Sequence, residues 1–157
     1  MIINITGGSK SQKKYAESIV NFCAKKLMPK MRPGLEINVF LKDFGKDDTY
    51  GYAIPADDAD SFRPRSFDIE INKKYKLRTV LCTICHEMVH VKQFARGELY
   101  ESTAQGKHRW QGEWLNKDPD YWDRPWEIEA HGRETGLYLR WIKQEKLNKK
   151  KWTKFDD

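Results

Sequence analysis

His86 and His90 stand four residues apart with Glu87 between them, in the run His86-Glu87-Met88-Val89-His90. On a helix, residues four apart share a face one turn apart. Both imidazoles can therefore aim a nitrogen at one ion roughly 2.0–2.1 Å away, the zinc–nitrogen distance. Glu87 adjoins the first histidine and need not bind the ion, so it is placed as a general base for an attacking water. This is equipment for zinc-assisted hydrolysis. A five-residue pattern of this kind also arises by chance, and it needs a buried helix and a third ligand from another element to carry weight. As ordinary core residues, three unpaired polar side chains would cost several kcal/mol, which a bound metal offsets.

The elements around this run are legible from periodicity. Leu77 to Phe94 is apolar nearly all round its first turns and predicts a helix packed under a sheet, interrupted by His86, Glu87 and His90. Upstream, Ser9 caps a helix on which Tyr15, Ile19, Phe22 and Cys23 recur at helical spacing, and Pro29 and Pro33-Gly34 end it. Leu35, Ile37, Val39 and Leu41 alternate along one strand, Thr49 to Ile54 forms a second, and Phe67, Ile69 and Ile71 mark a third with one wet face. Between the last two lies a turn-rich stretch, Pro55 to Pro64. Antiparallel pairing is expected. Arg109 to Trp114 suggests a hairpin or extended loop, and Pro125 opens a final helix through Trp126, Ile128, Ala130, Leu137, Leu139 and Trp141. The expected fold is α+β: an N-terminal helix, a small, mostly antiparallel three-stranded sheet, the helix of His86 and His90, a hairpin or loop, and a C-terminal helix.

A catalytic zinc takes three protein ligands and keeps one position open. The downstream candidates are His108, Glu113, Glu127, Glu129 and His131. Here Pro125-Trp126-Glu127-Ile128-Glu129-Ala130-His131 resembles the third-ligand helix of gluzincin-type metallopeptidases, which reads Glu-x-x-Ala-Asp or Glu-x-Glu-Ala-Asn. In that pattern the first glutamate binds zinc, the alanine allows close helix packing, and the last residue hydrogen-bonds a ligand histidine. The resemblance implies Glu127 as metal ligand with His86 and His90, Zn2+ as cofactor and Glu87 as catalytic base. His131 replaces the usual Asp or Asn, as either a supporting partner or a ligand. Element order and motif are similar to compact zincins such as the ImmA/IrrE-like and SprT-like groups, and to small phage or bacterial peptidases. SprT-like proteins take a third histidine, which His108 or His131 would supply; the glutamate-ligand subgroup fits better. The resemblance implies a minimal zincin, a zinc metalloendopeptidase of a bacterial or phage-infected cytoplasm, with a peptide or protein substrate bound as an extended strand. Tyr100, His108, Tyr121 and Arg124 flank the ligands as candidates to stabilise an oxyanion. Glu129 sits about 200° round the helix from Glu127 and should point away from the metal.

Whole-chain properties are compatible with this. A length of 157 residues fits one domain, read as residues 1–145 with a basic tail at 146–157. Aromatics make up 13% of the chain, poor material for disorder. No apolar run approaches a membrane span, and Met1 to Gly8 lacks the features of a signal peptide. Three cysteines argue against a disulfide scaffold and for a reducing compartment, so a soluble, intracellular protein is expected; a monomer is the expected state. Much of the net charge of +6 falls in Lys143 to Lys154, where six lysines crowd around Trp152. Such a run is usually a solvated face. Its functional alternative is nucleic-acid contact, making the chain a zincin-fold regulatory or DNA-associated binding module. Cys82-Thr83-Ile84-Cys85 lies inside a helix and predicts core thiols, while Gly7-Gly8-Ser9-Lys10 predicts a turn and a helix cap.

Overall fold

The computed structural model describes residues 1–57 and 61–155; residues 58–60 of the turn-rich stretch and 156–157 of the basic segment lie outside the described residues. The chain runs β1 (Ile2–Gly7), α1 (Lys10–Leu27), β2 (Glu36–Lys42), β3 (Gly51–Pro55), β4 (Ser66–Asn72), α2 (Leu77–Ala95), β5 (Leu99–Ser102), β6 (Lys107–Trp110), β7 (Glu113–Trp114) and α3 (Pro125–Gln144). Short 3-10 turns lie at Arg32–Gly34, Tyr121–Asp123 and Lys151–Thr153.

The main sheet differs from expectation. It has four strands in the order β1-β2-β4-β3 and is mixed: β1, β2 and β4 run parallel, and β3 pairs antiparallel with β4 at one edge. The unanticipated strand, β1, alternates Ile3 and Ile5 toward the interior with Asn4 and Thr6 toward solvent. Eighteen residues of α1 then carry the chain back along the sheet, the crossover length that makes β2 parallel to β1. Gly7 makes the sharp exit possible: its φ is +82°, and a Cβ there would run into the Leu41 carbonyl. Ser9 caps α1 in a reciprocal box with Gln12, each side chain bonding the other's backbone N–H.

Ile37, Val39 and Leu41 of β2 and Phe67, Ile69 and Ile71 of β4 are all buried in one core with the apolar residues of α1 and α2. The other sheet face is polar, with Asn4, Asn38 and Asp68 bonded in a row at 2.9 and 3.0 Å. The second sheet, antiparallel and ordered β5-β6-β7, contains the expected hairpin. It follows α2 directly and contacts it through β5. Helix α3 packs along α2, with Ala130, Tyr138 and Trp141 fully buried.

The lysine-rich C-terminus is docked. Trp152 packs on Tyr15 at 5.0 Å, the Tyr138 hydroxyl donates to the Thr153 carbonyl at 3.1 Å, and Arg78 donates to the Lys154 carbonyl at 3.2 Å. The six lysine side chains nevertheless stay exposed. Among the described residues, no helix is long and apolar enough to cross a membrane.

Candidate metal centre

Helix α2 brings His86 and His90 to one face, and α3, packed along it, brings Glu127 to the same point. The Nε2 atoms of the two histidines are 3.1 Å apart, and Glu127 Oε2 lies 3.2 Å from His86 Nε2 and 3.4 Å from His90 Nε2. Tetrahedral ligands about 2.0–2.1 Å from one ion are separated by roughly 3.3 Å, so the three donors already stand at ligand spacing. Both histidines are 8% exposed and Glu87 is 4% exposed. This buried His-His-Glu group can hold a metal ion.

The remaining ring nitrogens are also held. His86 Nδ1 faces Glu134 Oε2 at 2.7 Å, and His90 Nδ1 faces Gln93 Oε1 at 2.8 Å. Both partners are acceptors, so each ring carries its proton on Nδ1 and presents a lone pair at Nε2 when neutral. Neither Glu134 nor Gln93 was singled out from sequence. Glu134 continues the Glu127, His131 face at i, i+4, i+7, and Gln93 stands three residues after His90; both spacings were readable. His131 does not bond either ligand histidine: its Nε2 meets the Tyr121 hydroxyl at 2.9 Å and its Nδ1 lies 3.4 Å from Glu134. A second group, His86, His131 and Glu134, also lies within 4.8 Å mutually. The first group is the better cradle, because both its histidines are buried and stand one turn apart on α2, whereas His131 and Glu134 are only half-buried.

Electrostatics follow from this crowding. Burial opposes a charge on His86, but hydrogen bonds to Glu127 and Glu134 outweigh it and raise its pKa to about 10. Burial likewise opposes charge on His90, whose pKa is nonetheless raised by Glu127 and Glu87. Glu127 is held well below the usual carboxylate range: burial works against this, and the two histidines prevail. Burial pushes Glu87 upward against the pull of His90 and His86. Without a metal, the histidine protons supply the positive charge that Glu127 requires.

A cleft of about 730 Å³ opens over the cluster. Its walls include β3 from Gly51 to Ala53, the cluster with Glu87, and an apolar end at Phe94, Leu99 and Trp126. Of the flanking candidates, His108, Tyr121 and Arg124 line it. Tyr100 is not in the cleft wall; it packs edge-on against Phe62 and Trp114 under the Arg109 guanidinium. The Tyr121 hydroxyl donates to Glu127 Oε2 at 3.0 Å, and burial, then Glu127, raises its pKa. His108 stacks on Trp126 at 5.0 Å with Nδ1 2.7 Å from Asp118. Glu129 points away from the cluster, to Lys92 and Gln93, as its angular position required. Of the other ligand candidates, Glu113 is exposed on β7. Cys85 approaches Cys23 at 3.8 Å within the core, so Cys82 and Cys85 form no pair of their own.

Comparison with protein-family models, with curated proteins and with solved structures gave no match.

Proposed function

We propose that this protein is a zinc-dependent peptidase that hydrolyses peptide bonds, with His86, His90 and Glu127 as metal ligands and Glu87 as general base. The observation that carries this reading is the triad of buried donors at tetrahedral spacing, with Glu87 beside it on the wall of an open cleft. When bound, zinc would polarise the scissile carbonyl and make a water acidic enough to attack near neutral pH. Glu87 takes the water's proton and returns it to the leaving amine. Tyr121 is the flanking residue nearest the cluster, with its hydroxyl 3.0 Å from Glu127 Oε2, and its single proton would turn from that carboxylate to a developing oxyanion once zinc takes up the Glu127 charge.

The cleft also suits an extended chain. In the β3–β4 ladder, Ala56 and Tyr50 are hydrogen-bonded partners of Ser66 and Asn72. Bonded residues alternate in an antiparallel pair. Tyr52 and Ile54 therefore bond β4, while the N–H and C=O groups of Gly51 and Ala53 point outward into the cleft. Pro55 offers a carbonyl but no N–H. An incoming peptide can add a strand there through two residues, the recognition mode of strand augmentation. A bacterial or phage-infected cytoplasm as the setting and a monomeric state belong to the same reading.

Digestion of a peptide library by zinc-loaded protein, compared with Glu87→Gln, tests the proposal; equal cleavage by both removes the mechanism. A second reading, a DNA-associated or regulatory binding module, draws on the exposed lysines that Trp152 anchors to α1. It requires salt-sensitive DNA binding that falls when Lys149, Lys150 and Lys151 are replaced.

A further inference from the structure

Gln93 is fully buried, and its amide nitrogen faces two partners of fixed polarity. Its Nε2 donates to the Trp126 carbonyl at 2.9 Å and to Glu129 Oε1 at 2.8 Å. Both partners are acceptors, so the amide has one satisfactory orientation; flipped, its oxygen would face two other oxygens. That orientation turns Oε1 toward His90, which must then carry its proton on Nδ1. The other oxygen of Glu129 is held by Lys92 Nζ at 2.6 Å, and Lys92, only 6% exposed, also ion-pairs with Glu98 at 2.8 Å. His86 is thus backed by a carboxylate directly, and His90 by a carboxylate acting through an amide.

We propose that Glu129 and Lys92 are positioning residues for the metal centre: they fix the Gln93 amide, and through it the tautomer and orientation of His90. This rests on the metal-centre reading. Trp126 O holds one of the two amide hydrogens and Glu129 Oε1 the other, so Glu129 adds a charged acceptor that locks the orientation the carbonyl already favours. Lys92 supplies the charge that keeps Glu129 ionised and turned inward, where an unpaired carboxylate would be expelled or protonated. Glu127 and Glu129, two residues apart on α3, thereby serve the same ion from opposite faces of one helix. The rival account is that Lys92, Glu129 and Glu98 merely staple α2 to α3. The two accounts differ in what happens at His90.

The experiment uses full-length protein with 15N-labelled histidine, loaded with zinc, and Glu129→Gln beside it. Zinc affinity is measured against a competing chelator, and hydrogen exchange is followed at both ligand Nδ1–H groups. The proposal expects zinc binding weakened by about 10–100-fold, the range for outer-shell partners. It also expects faster exchange at His90 Nδ1–H with His86 Nδ1–H unchanged, because Glu134 still holds the latter. Equal acceleration at both histidines would mean general loosening, and no change at either would mean no relay; each overturns the proposal. If Glu129→Gln does not fold, Lys92→Gln is read in the same way, with Lys92→Arg expected to restore His90. Wild-type protein that takes up no zinc removes the metal-centre reading, and the relay with it, whereas zinc uptake insensitive to Glu129 removes the relay alone.

Discussion

Glu134 Oε2 lies 2.7 Å from His86 Nδ1, and since Glu127 from the same helix meets Nε2, α3 grips both nitrogens of one imidazole. Sliding α3 along α2 would disturb ligand and support together. The first prediction follows: about one zinc per chain, lost on joint replacement of His86 and His90 by Ala, severely weakened in Glu127→Ala, and weakened about 10–100-fold in Glu134→Gln. His131→Ala should cost less than Glu134→Gln, because His131 bonds neither ligand histidine. Chelator competition orders the variants; a larger loss in His131→Ala than in Glu127→Ala would move the site toward the second group.

Glu87→Gln should keep zinc and fold while losing hydrolysis by at least about 100-fold, the lower range for a general base. Elemental analysis and the thermal midpoint check the first part, and peptide turnover the second. Loss of zinc in this variant would make Glu87 a ligand instead.

Tyr121→Phe should lower kcat by roughly 10²–10³-fold, the range for one oxyanion donor, with zinc affinity changed far less. An unaltered kcat would pass the role to His108 or Arg124, the other flanking residues in the cleft wall.

Much of this arrangement was legible from residue spacing. Helix α2 declared itself through a largely apolar surface that His86, Glu87 and His90 interrupt, and α3 through Pro125 followed by helical periodicity. The opposed directions of Glu127 and Glu129 followed from 100° per residue. Strand direction did not, because Ile37, Val39 and Leu41 alternate identically in a parallel or an antiparallel pair, and only the β1 crossover decides. Six residues of β1 at the chain start carry too little pattern to announce a strand. Glu134 and Gln93 escaped for a different reason: motif reading stops at the ligands, whereas their roles depend on how two helices are placed against each other.

Metal-free protein should lose stability as pH rises. His86 has a folded pKa of about 10 against an ordinary 6.5. Its stabilising contribution is therefore complete below about pH 6.5 and is lost as pH climbs through about 10. Zinc, displacing those protons, should release them on binding and bind less well as pH falls. Calorimetry in chelator at pH 6.5, 8 and 10 checks the sign; a midpoint that rises across that range contradicts it. Glu134→Gln should flatten the slope by removing one of the two carboxylates on His86.

Ala53→Pro should raise KM about fivefold while sparing stability, since the Ala53 N–H points into the cleft and a net hydrogen bond contributes about 1 kcal/mol. Tyr52, preceding it, is already extended, so the proline imposes little new restraint. Unchanged KM would place the substrate elsewhere in the cleft.

An edge that accepts a peptide also accepts the edge of another molecule, and open strand edges are where sheet proteins aggregate. Here β3 limits itself. It spans five residues, carries outward bonding groups at Gly51 and Ala53, and ends in Pro55. A second β3 laid beside it would gain those few bonds, without the cleft contacts open to a slender, extended peptide. Brevity and one proline thus separate what docks from what would accumulate.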